Sequence, residues 1–162
     1  MIIRDARAGD ASKIAGFWNP MARDTVATFS SVQKTDADVA DMIAERQSGG
    51  HGFWVAEVDD MVVGFATYAQ FRGGDGYAHT MEHTIIIAPE GQGRGIGRAL
   101  MSAVEDHARV SGAHSMMAAV SDENTASIAF HRAAGYRTVA LVPQVGRKFD
   151  RWMDLVLMQK FL

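Results

Sequence analysis

The sequence has no cysteine among its 162 residues. This absence excludes disulfide bonds, thiolate metal sites and any mechanism that carries an acyl group on a protein thiol. Only three prolines are present, and no internal repeat, low-complexity tract or Pro/Ser-rich linker interrupts the chain. We therefore expect one domain over residues 1–162.

An excess of positive charge and a long apolar run are also missing. The 16 basic and 19 acidic residues give a net charge of −3, which predicts neither a nucleic-acid nor a membrane partner. Charges at Arg4, Asp5 and Arg7 fall where a signal peptide needs an unbroken apolar stretch. The longest apolar stretch, residues 61–70, is far shorter than the roughly 20 residues of a membrane helix. We therefore expect a cytoplasmic protein.

Periodicity predicts a mixed α/β domain, in which helices flank a sheet. Hydrophobic residues make up 48% of the chain, which is enough for a core without metal or disulfide support. Strands are predicted at residues 1–6, 52–58, 61–71, 80–87, 115–120, 136–145 and 151–161. A first helix is predicted to start at Asp10 as N-cap and to end or kink at Asn19-Pro20, with a loop or irregular helix over 21–32. Further helices are predicted over 35–49, from the glycine-rich turn to about residue 112, and over 124–134.

Three local patterns accompany these elements. Asp59-Asp60 is predicted to join the second and third strands as a tight hairpin. Thr35 and Asp38 resemble a capping box, with Asp in the Glu position, at the start of the second helix. In the helix after the glycine-rich turn, Leu100, Val104 and Ala108 fall at i, i+4 and i+8, the spacing of one helix face.

The most informative segment is Pro-Glu-Gly-Gln-Gly-Arg-Gly-Ile-Gly-Arg, residues 89–98. Its alternating glycines lie between a predicted strand and a predicted helix, where they allow successive N–H groups to point at one anion. A helix N-terminus adds partial positive charge, which favours a pyrophosphate. The structural alternative is a plain strand-to-helix turn.

Two common nucleotide motifs do not fit this turn. The dinucleotide fingerprint needs glycines at i, i+2 and i+5, but that third position is Ile96 or Arg98, depending on the starting glycine. The nucleoside triphosphate loop ends in Gly-Lys-Ser/Thr, whereas this turn ends in Gly-Arg-Ala. The spacing that is present is Gln-x-x-Gly-x-Gly, residues 92–97.

This spacing resembles the motif of the GNAT acetyltransferase superfamily, in which the turn binds the pyrophosphate of acetyl-CoA. Ile-Ile-Ile-Ala-Pro at 85–89 stands where that family has a bulged fourth strand, and residues 124–136 are similar to its second cofactor motif. The segments 80–85, 130–136 and 145–154 resemble the phosphinothricin or methionine sulfoximine acetyltransferase branch. The resemblance implies a GNAT fold, with a mixed, mostly antiparallel twisted sheet of about seven strands and about four helices. It also implies acetyl-CoA as co-substrate, no metal and a homodimer.

Cofactor contacts follow from the same resemblance. The implied cofactor-binding residues are Ile85, Ile86, Ile87, Gln92, Gly93, Arg94, Gly95, Ile96, Gly97, Arg98, Asn124 and Ser127.

Glu82 and His131 are the candidate catalytic residues. Glu82 lies in an otherwise apolar and β-branched predicted strand, where a charge is costly unless it faces a cleft. We predict that it is the general base that deprotonates the acceptor amine, through an ordered water. His131 shares a polar helical stripe with Asn124 and Ser127. It stands where many GNAT enzymes have a tyrosine that acts as the acid toward the departing thiolate. The structural alternatives are a paired or solvated carboxylate and an ordinary helical histidine.

A pocket for the acceptor is predicted around the loop that precedes the Glu82 strand. Arg72 there could clamp an α-carboxylate, although an ordinary surface arginine is the alternative. By resemblance, the wall residues of this substrate pocket are Phe29, Arg72, Asp75, Gly76, Tyr77 and Lys148. A metal site at His79 and His83 is not expected, because i and i+4 in a strand lie roughly 13 Å apart.

Together these features predict a transferase that moves acetyl from acetyl-CoA to the α-amine of a small amino acid or analogue. Direct transfer in a ternary complex is expected, since there is no cysteine to hold the acyl group. Two alternatives remain: a peptide or protein N-terminal acetyltransferase, and a CoA-binding module without turnover.

Overall fold

Seven strands and four α-helices make up the chain, as a computed structural model of residues 1–162 describes it. The strands are β1 Ile2–Asp5, β2 Phe53–Val58, β3 Met61–Gln70, β4 Thr80–Ile87, β5 Ser115–Ser121, β6 Arg137–Lys148 and β7 Arg151–Phe161. The helices are α1 Ala11–Asp24, α2 Asp36–Ser48, α3 Ile96–Val110 and α4 Thr125–Ala133. Both numbers agree with the sequence-based expectation. None of the helices is long and apolar enough to cross a membrane.

The strands form one sheet in the order β1-β2-β3-β4-β5-β7-β6. All neighbours are antiparallel except β4 and β5, which are parallel. The tight β2–β3 hairpin predicted at Asp59-Asp60 is present, and both residues have positive φ, 50° and 62°, as a two-residue hairpin turn requires. A second turn of this kind, at Phe149-Asp150, joins β6 to β7, so β6 extends to Lys148, beyond the predicted end at residue 145.

The parallel pair separates along its length. β4 and β5 are paired only from Thr80↔Ser115 to Glu82↔Met117. β4 then continues to Ile87 and β5 continues to Ser121 without pairing to each other. The sheet therefore opens immediately after Glu82 and leaves one side of β4 without strand partners.

Helices cover both faces of the sheet. On one face, Ile14 of α1 and Val39 and Ile43 of α2 pack in a cluster with Phe53 and Phe65 of the sheet. On the other face, the predicted i, i+4, i+8 stripe of α3 (Leu100, Val104 and Ala108) is fully buried in the larger cluster. The predicted spacing of α3 is thus confirmed.

Of the two outcomes predicted at Asn19-Pro20, a helix end or a kink, the helix end is wrong. α1 continues through Pro20 to Asp24. Pro20 lacks the N–H that would bind the carbonyl of Gly16, but both residues are exposed, so water can satisfy that carbonyl. Beyond Pro20 the helix buries Ala22, and this packing offsets the lost bond.

Asp10 is the N-cap residue of α1, as predicted, but its side chain has other partners. The Asp10 side chain does not cap α1; it accepts the N–H of Arg7 and pairs with the guanidinium of Arg4. The capping box predicted at the start of α2 is present, because Thr35 Oγ1 accepts from Asp38 N at 3.1 Å and the Asp38 carboxylate accepts from Thr35 N at 2.8 Å.

Candidate active site

A cavity of about 1060 Å³ lies where β4 and β5 separate. One wall comes from the end of α1 and the following segment, residues 25–34, which has neither helix nor strand. The opposite side comes from the glycine-rich turn and α4. The opening of the sheet thus makes a cleft that is bounded by elements from both ends of the sequence.

The glycine-rich turn presents a row of free N–H groups to this cavity. None of the backbone N–H groups from Gly93 to Arg98 donates a well-formed hydrogen bond within the chain. Gly93 and Gly95 have φ values of 72° and 76°, a region that favours glycine, and Gly95 is the N-cap of α3. Free N–H groups at a helix N-terminus form a binding site for an anion such as phosphate.

Two other glycines of the turn allow close packing. A Cβ atom on Gly91 would lie 2.8 Å from the carbonyl oxygen of Val63, and one on Gly97 would lie 3.1 Å from the Phe130 ring. Gly91 needs glycine for space and Gly97 packs tightly on the Phe130 ring, so the turn is held against β3 and α4.

Glu82 lines the cavity at the point where the two strands separate. Its side chain has no hydrogen-bond or ion-pair partner within the chain. Burial raises the pKa of its carboxyl group above the ordinary value. A carboxylate in such a place is a stronger base than one in water, as a general base requires.

His131 is fixed in one tautomer by its neighbours. Its Nδ1 atom lies 2.7 Å from the carbonyl oxygen of Ser127, and because a carbonyl can only accept, Nδ1 carries the hydrogen. The Nε2 atom therefore presents a lone pair, and this atom is buried without a partner. Burial lowers the pKa of His131, so the neutral form is favoured.

His83 and Ser121 are cavity residues that the sequence analysis did not select. The His83 ring stacks on His131 at 5.0 Å between centroids, with 15° between the ring planes. Both ring nitrogens of His83 and the Ser121 hydroxyl are buried without partners, and burial lowers the pKa of His83 to about 3. A signal for His83 is present in the sequence, because a histidine in an otherwise apolar strand interior needs a polar partner.

Fourteen of the predicted site residues line the cavity. They are Phe29, Glu82, Ile85, Ile86, Ile87, Gln92, Gly93, Gly95, Ile96, Gly97, Arg98, Asn124, Ser127 and His131. Asn124 also caps α4, because its side-chain oxygen accepts the Ser127 N–H at 3.1 Å. The structure thus brings both candidate catalytic residues and most of the implied cofactor residues to one cleft.

The other predicted site residues lie outside the cavity lining. Arg94 is exposed on the glycine-rich turn, and Arg72, Asp75, Gly76 and Tyr77 are exposed between β3 and β4. The Arg72 guanidinium lies over the Tyr77 ring, 5.5 Å from its centroid. Their substrate and cofactor roles stay predictions.

Lys148, the remaining predicted wall residue, is buried and does not line the cavity. Its ammonium group binds backbone carbonyl oxygens at the end of α1 and in the segment that follows. No three His, Asp or Glu side chains converge on a potential metal position.

Comparison with known sequences agrees with this geometry. The profile of the Acetyltransferase (GNAT) family matches residues 18–136. An L-amino acid N-acyltransferase, MnaT, of Escherichia coli is 39% identical over 98% of this chain and 92% of its own length. The L-methionine sulfoximine/L-methionine sulfone acetyltransferase of Salmonella typhimurium is 38% identical over 98% and 93%. A phosphinothricin N-acetyltransferase of Alcaligenes faecalis is 31% identical over 98% and 81%.

Solved structures share the whole fold. A Salmonella typhimurium acetyltransferase, yncA, with its cofactor acetyl-CoA, has a TM-score of 0.96 at 36% identity and covers 100% of this chain and 94% of its own. A ribosomal-protein-alanine N-acetyltransferase of Brucella melitensis has a TM-score of 0.96 at 33% identity and covers 100% of both chains. These matches confirm the predicted fold class and the predicted resemblance. The chain belongs to the Acetyltransferase (GNAT) family.

Proposed function

We propose that this chain transfers acetyl from acetyl-CoA to the α-amine of a small amino acid or analogue, of the methionine sulfoximine, methionine sulfone or phosphinothricin type. The observation that carries the proposal is the row of free N–H groups from Gly93 to Arg98, on a cavity that also holds Glu82 and His131. The relatives named for amino acid and methionine sulfoximine acylation support it. We propose residues 1–162 as one catalytic domain and the cytoplasm as the place of the reaction.

The residues present fit acetyl-CoA. The free N–H groups of the turn suit a pyrophosphate, and the exposed Arg98 guanidinium at the cavity edge adds positive charge. β4 has no strand partner on the β5 side beyond Glu82, so its main-chain groups there can pair with the amides of an extended ligand arm. When bound, acetyl-CoA supplies an acetyl thioester that an amine can attack.

Glu82 acts as the base in this proposal. An α-amine has a pKa near 8 or higher and is largely protonated at neutral pH, so it must lose a proton before it attacks. The Glu82 carboxylate, with its raised pKa, takes that proton directly or through a water molecule. Because Glu82 has no competing partner within the chain, its oxygens are available for this step.

His131 first takes up a proton and then donates it as an acid. Since Nδ1–H is bound to the Ser127 carbonyl, the Nε2 atom carries no proton in the neutral ring. Nε2 can take a proton from the acceptor nitrogen and then pass it to the departing sulfur. The predicted acid role of His131 thus depends on a proton gained during the reaction.

A thiol-release assay with acetyl-CoA tests the proposal. The acceptor panel contains free amino acids, methionine sulfone, methionine sulfoximine, phosphinothricin and short peptides with an N-terminal alanine. Turnover on free amino acids, lost in Glu82→Gln but not in the exposed-site control Glu90→Gln, is the expected result. Turnover on peptides alone would favour the alternative that the Brucella relative's name suggests, and CoA binding without any turnover would favour a binding module.

We also propose that the chain forms a homodimer through the β6–β7 hairpin. β6 is an edge strand of the sheet, and Val139, Leu141, Val145 and Trp152 on this hairpin are each more than half exposed. Exposed apolar side chains beside an unpaired edge favour association. Sedimentation should give a dimer that Leu141→Glu converts to a monomer, whereas a wild-type monomer at all concentrations would contradict it.

A further inference from the structure

The segment between α1 and α2 forms a wall of the cavity but has little structure of its own. Residues 25–34 are neither helix nor strand, and Phe29 on this segment lines the cavity. Within the segment, the backbone N–H groups that bond locally do so to nearby side chains, such as Ala27 N to Thr25 Oγ1 at 3.2 Å and Val32 N to Ser30 Oγ at 3.3 Å. Contacts from other parts of the chain must therefore hold the wall in place.

Lys148 supplies the main contact of this kind. Its ammonium group donates to the carbonyl oxygens of Ala22, Thr25 and Thr28 at 2.5, 2.6 and 2.7 Å, so all three of its protons are used. Lys148 forms no salt bridge, and its side chain is buried. The carbonyls at the C-terminal end of α1 carry partial negative charge, which favours a cation there.

A second contact comes from the same strand. A Cβ atom on Gly146 would overlap the Phe29 ring, so this ring lies directly on the β6 backbone. At the far end of the segment, the Asn19 side chain pairs with the backbone of Lys34 in both directions, at 2.8 and 2.9 Å. The segment is thus fixed at both ends by residues that do not line the cavity.

The fixed wall lies on the same side of the sheet as the proposed base. Ile86 of β4 packs in the cluster under α1 and α2, and Glu82, four residues earlier in the strand, shares that face. The glycine-rich turn lies at the start of α3, which packs on the opposite face. The segment therefore bounds the acceptor part of the cavity rather than the pyrophosphate part.

We propose that Lys148 is a positioning residue that sets acceptor binding by holding residues 25–30 against the cavity. This inference rests on the proposed function for the identity of the acceptor. Without the ammonium group, three carbonyl oxygens lose their donor and the Phe29 wall loosens. The acceptor then binds more weakly, while the sites for CoA and for proton transfer keep their geometry.

The test compares Lys148→Met with Lys148→Arg and with the control Lys13→Met, which changes an exposed lysine on α1. We expect Lys148→Met to raise the KM of the amino acid by about tenfold or more, with kcat within about threefold. The Kd of CoA, measured by calorimetry, stays within about twofold. Lys148→Arg keeps a cation and recovers part of the KM, and Lys13→Met changes none of these values.

Limited trypsin digestion gives a readout that does not depend on turnover. Arg23 precedes the segment and Lys34 is its last residue, and trypsin cleavage after these two residues should be about fivefold faster or more in Lys148→Met, in otherwise folded protein. If Lys148→Met does not fold, Gly146→Ala, which displaces Phe29, should raise the acceptor KM in the same way. An unchanged KM with an unchanged digestion rate would overturn the inference, as would a loss of kcat at constant KM. Absence of turnover in the wild type would contradict the proposed function instead, and the digestion would still test the role of Lys148.

Discussion

The buried pair of His83 and His131 makes the stability of this protein dependent on acid. Burial, and secondarily the neighbouring His131, lowers the pKa of His83 to about 3, whereas an unfolded histidine has a pKa near 6.5. Below the pKa of the unfolded state, His83 is protonated in the unfolded chain but stays neutral in the folded chain, so the free energy of unfolding falls as the pH falls. Each pKa unit corresponds to about 1.4 kcal/mol, so His83 alone removes about 2 kcal/mol of the free energy of unfolding between pH 7 and pH 5.

His83→Phe is the variant that isolates this effect. Phenylalanine keeps a planar ring that can stack on His131 but has no titrating nitrogen. Urea unfolding of both proteins at pH 7 and at pH 5 gives four free energies of unfolding. We expect the decrease on acidification to be about 2 kcal/mol smaller in the variant, and His114→Phe, which changes an exposed histidine, to leave the wild-type decrease unaltered. Equal decreases in wild type and His83→Phe would refute the assignment of a depressed pKa to this ring.

Three further outcomes follow from the site and the core. In the wild type, kcat/KM should rise with pH as the Glu82 carboxyl group loses its proton, and this rise should occur at a higher pH than for an ordinary glutamate because burial raises its pKa. Glu82→Gln should remove that rise and leave the affinity for CoA unchanged. Gly95→Val places a β-branched residue at a φ of 76° and should raise the Kd of CoA by about tenfold or more, measured by calorimetry, with secondary structure retained by circular dichroism. Leu100→Ala empties a fully buried position and should lower the free energy of unfolding by about 2–5 kcal/mol in urea; a loss below about 1 kcal/mol would contradict its place in the core.

The donor side of the site could be predicted from sequence because its geometry is local. The free N–H groups come from one run of alternating glycines, and the helix that follows starts at Ile96. Leu100, Val104 and Ala108 then give the helix a face that packs on the sheet. Each of these signals lies within about 20 residues, so pattern and spacing were sufficient.

Local signals misled the prediction at Pro20. A proline preceded by asparagine normally marks a helix end, but tertiary contacts at Ala22 hold the last turn of α1 in place. The ammonium group that binds the Ala22 carbonyl belongs to a residue 126 positions later. No local pattern around Pro20 carries that information.

The acceptor side could not be predicted because it, too, depends on contacts between residues that are far apart in the sequence. Residues 25–34, the proposed wall of the acceptor site, have no periodicity, and they contact Lys148 and Gly146 in β6. The family resemblance implies that Lys148 is a wall residue of the substrate pocket. The structure instead directs its three protons to backbone carbonyls. A lysine with a free ammonium group would attract an acceptor carboxylate wherever the wall lay. Lys148, whose ammonium group is bound to backbone carbonyls, can act on the acceptor only through the wall. Substitutions on β6 can therefore alter the choice of acceptor without contacting it.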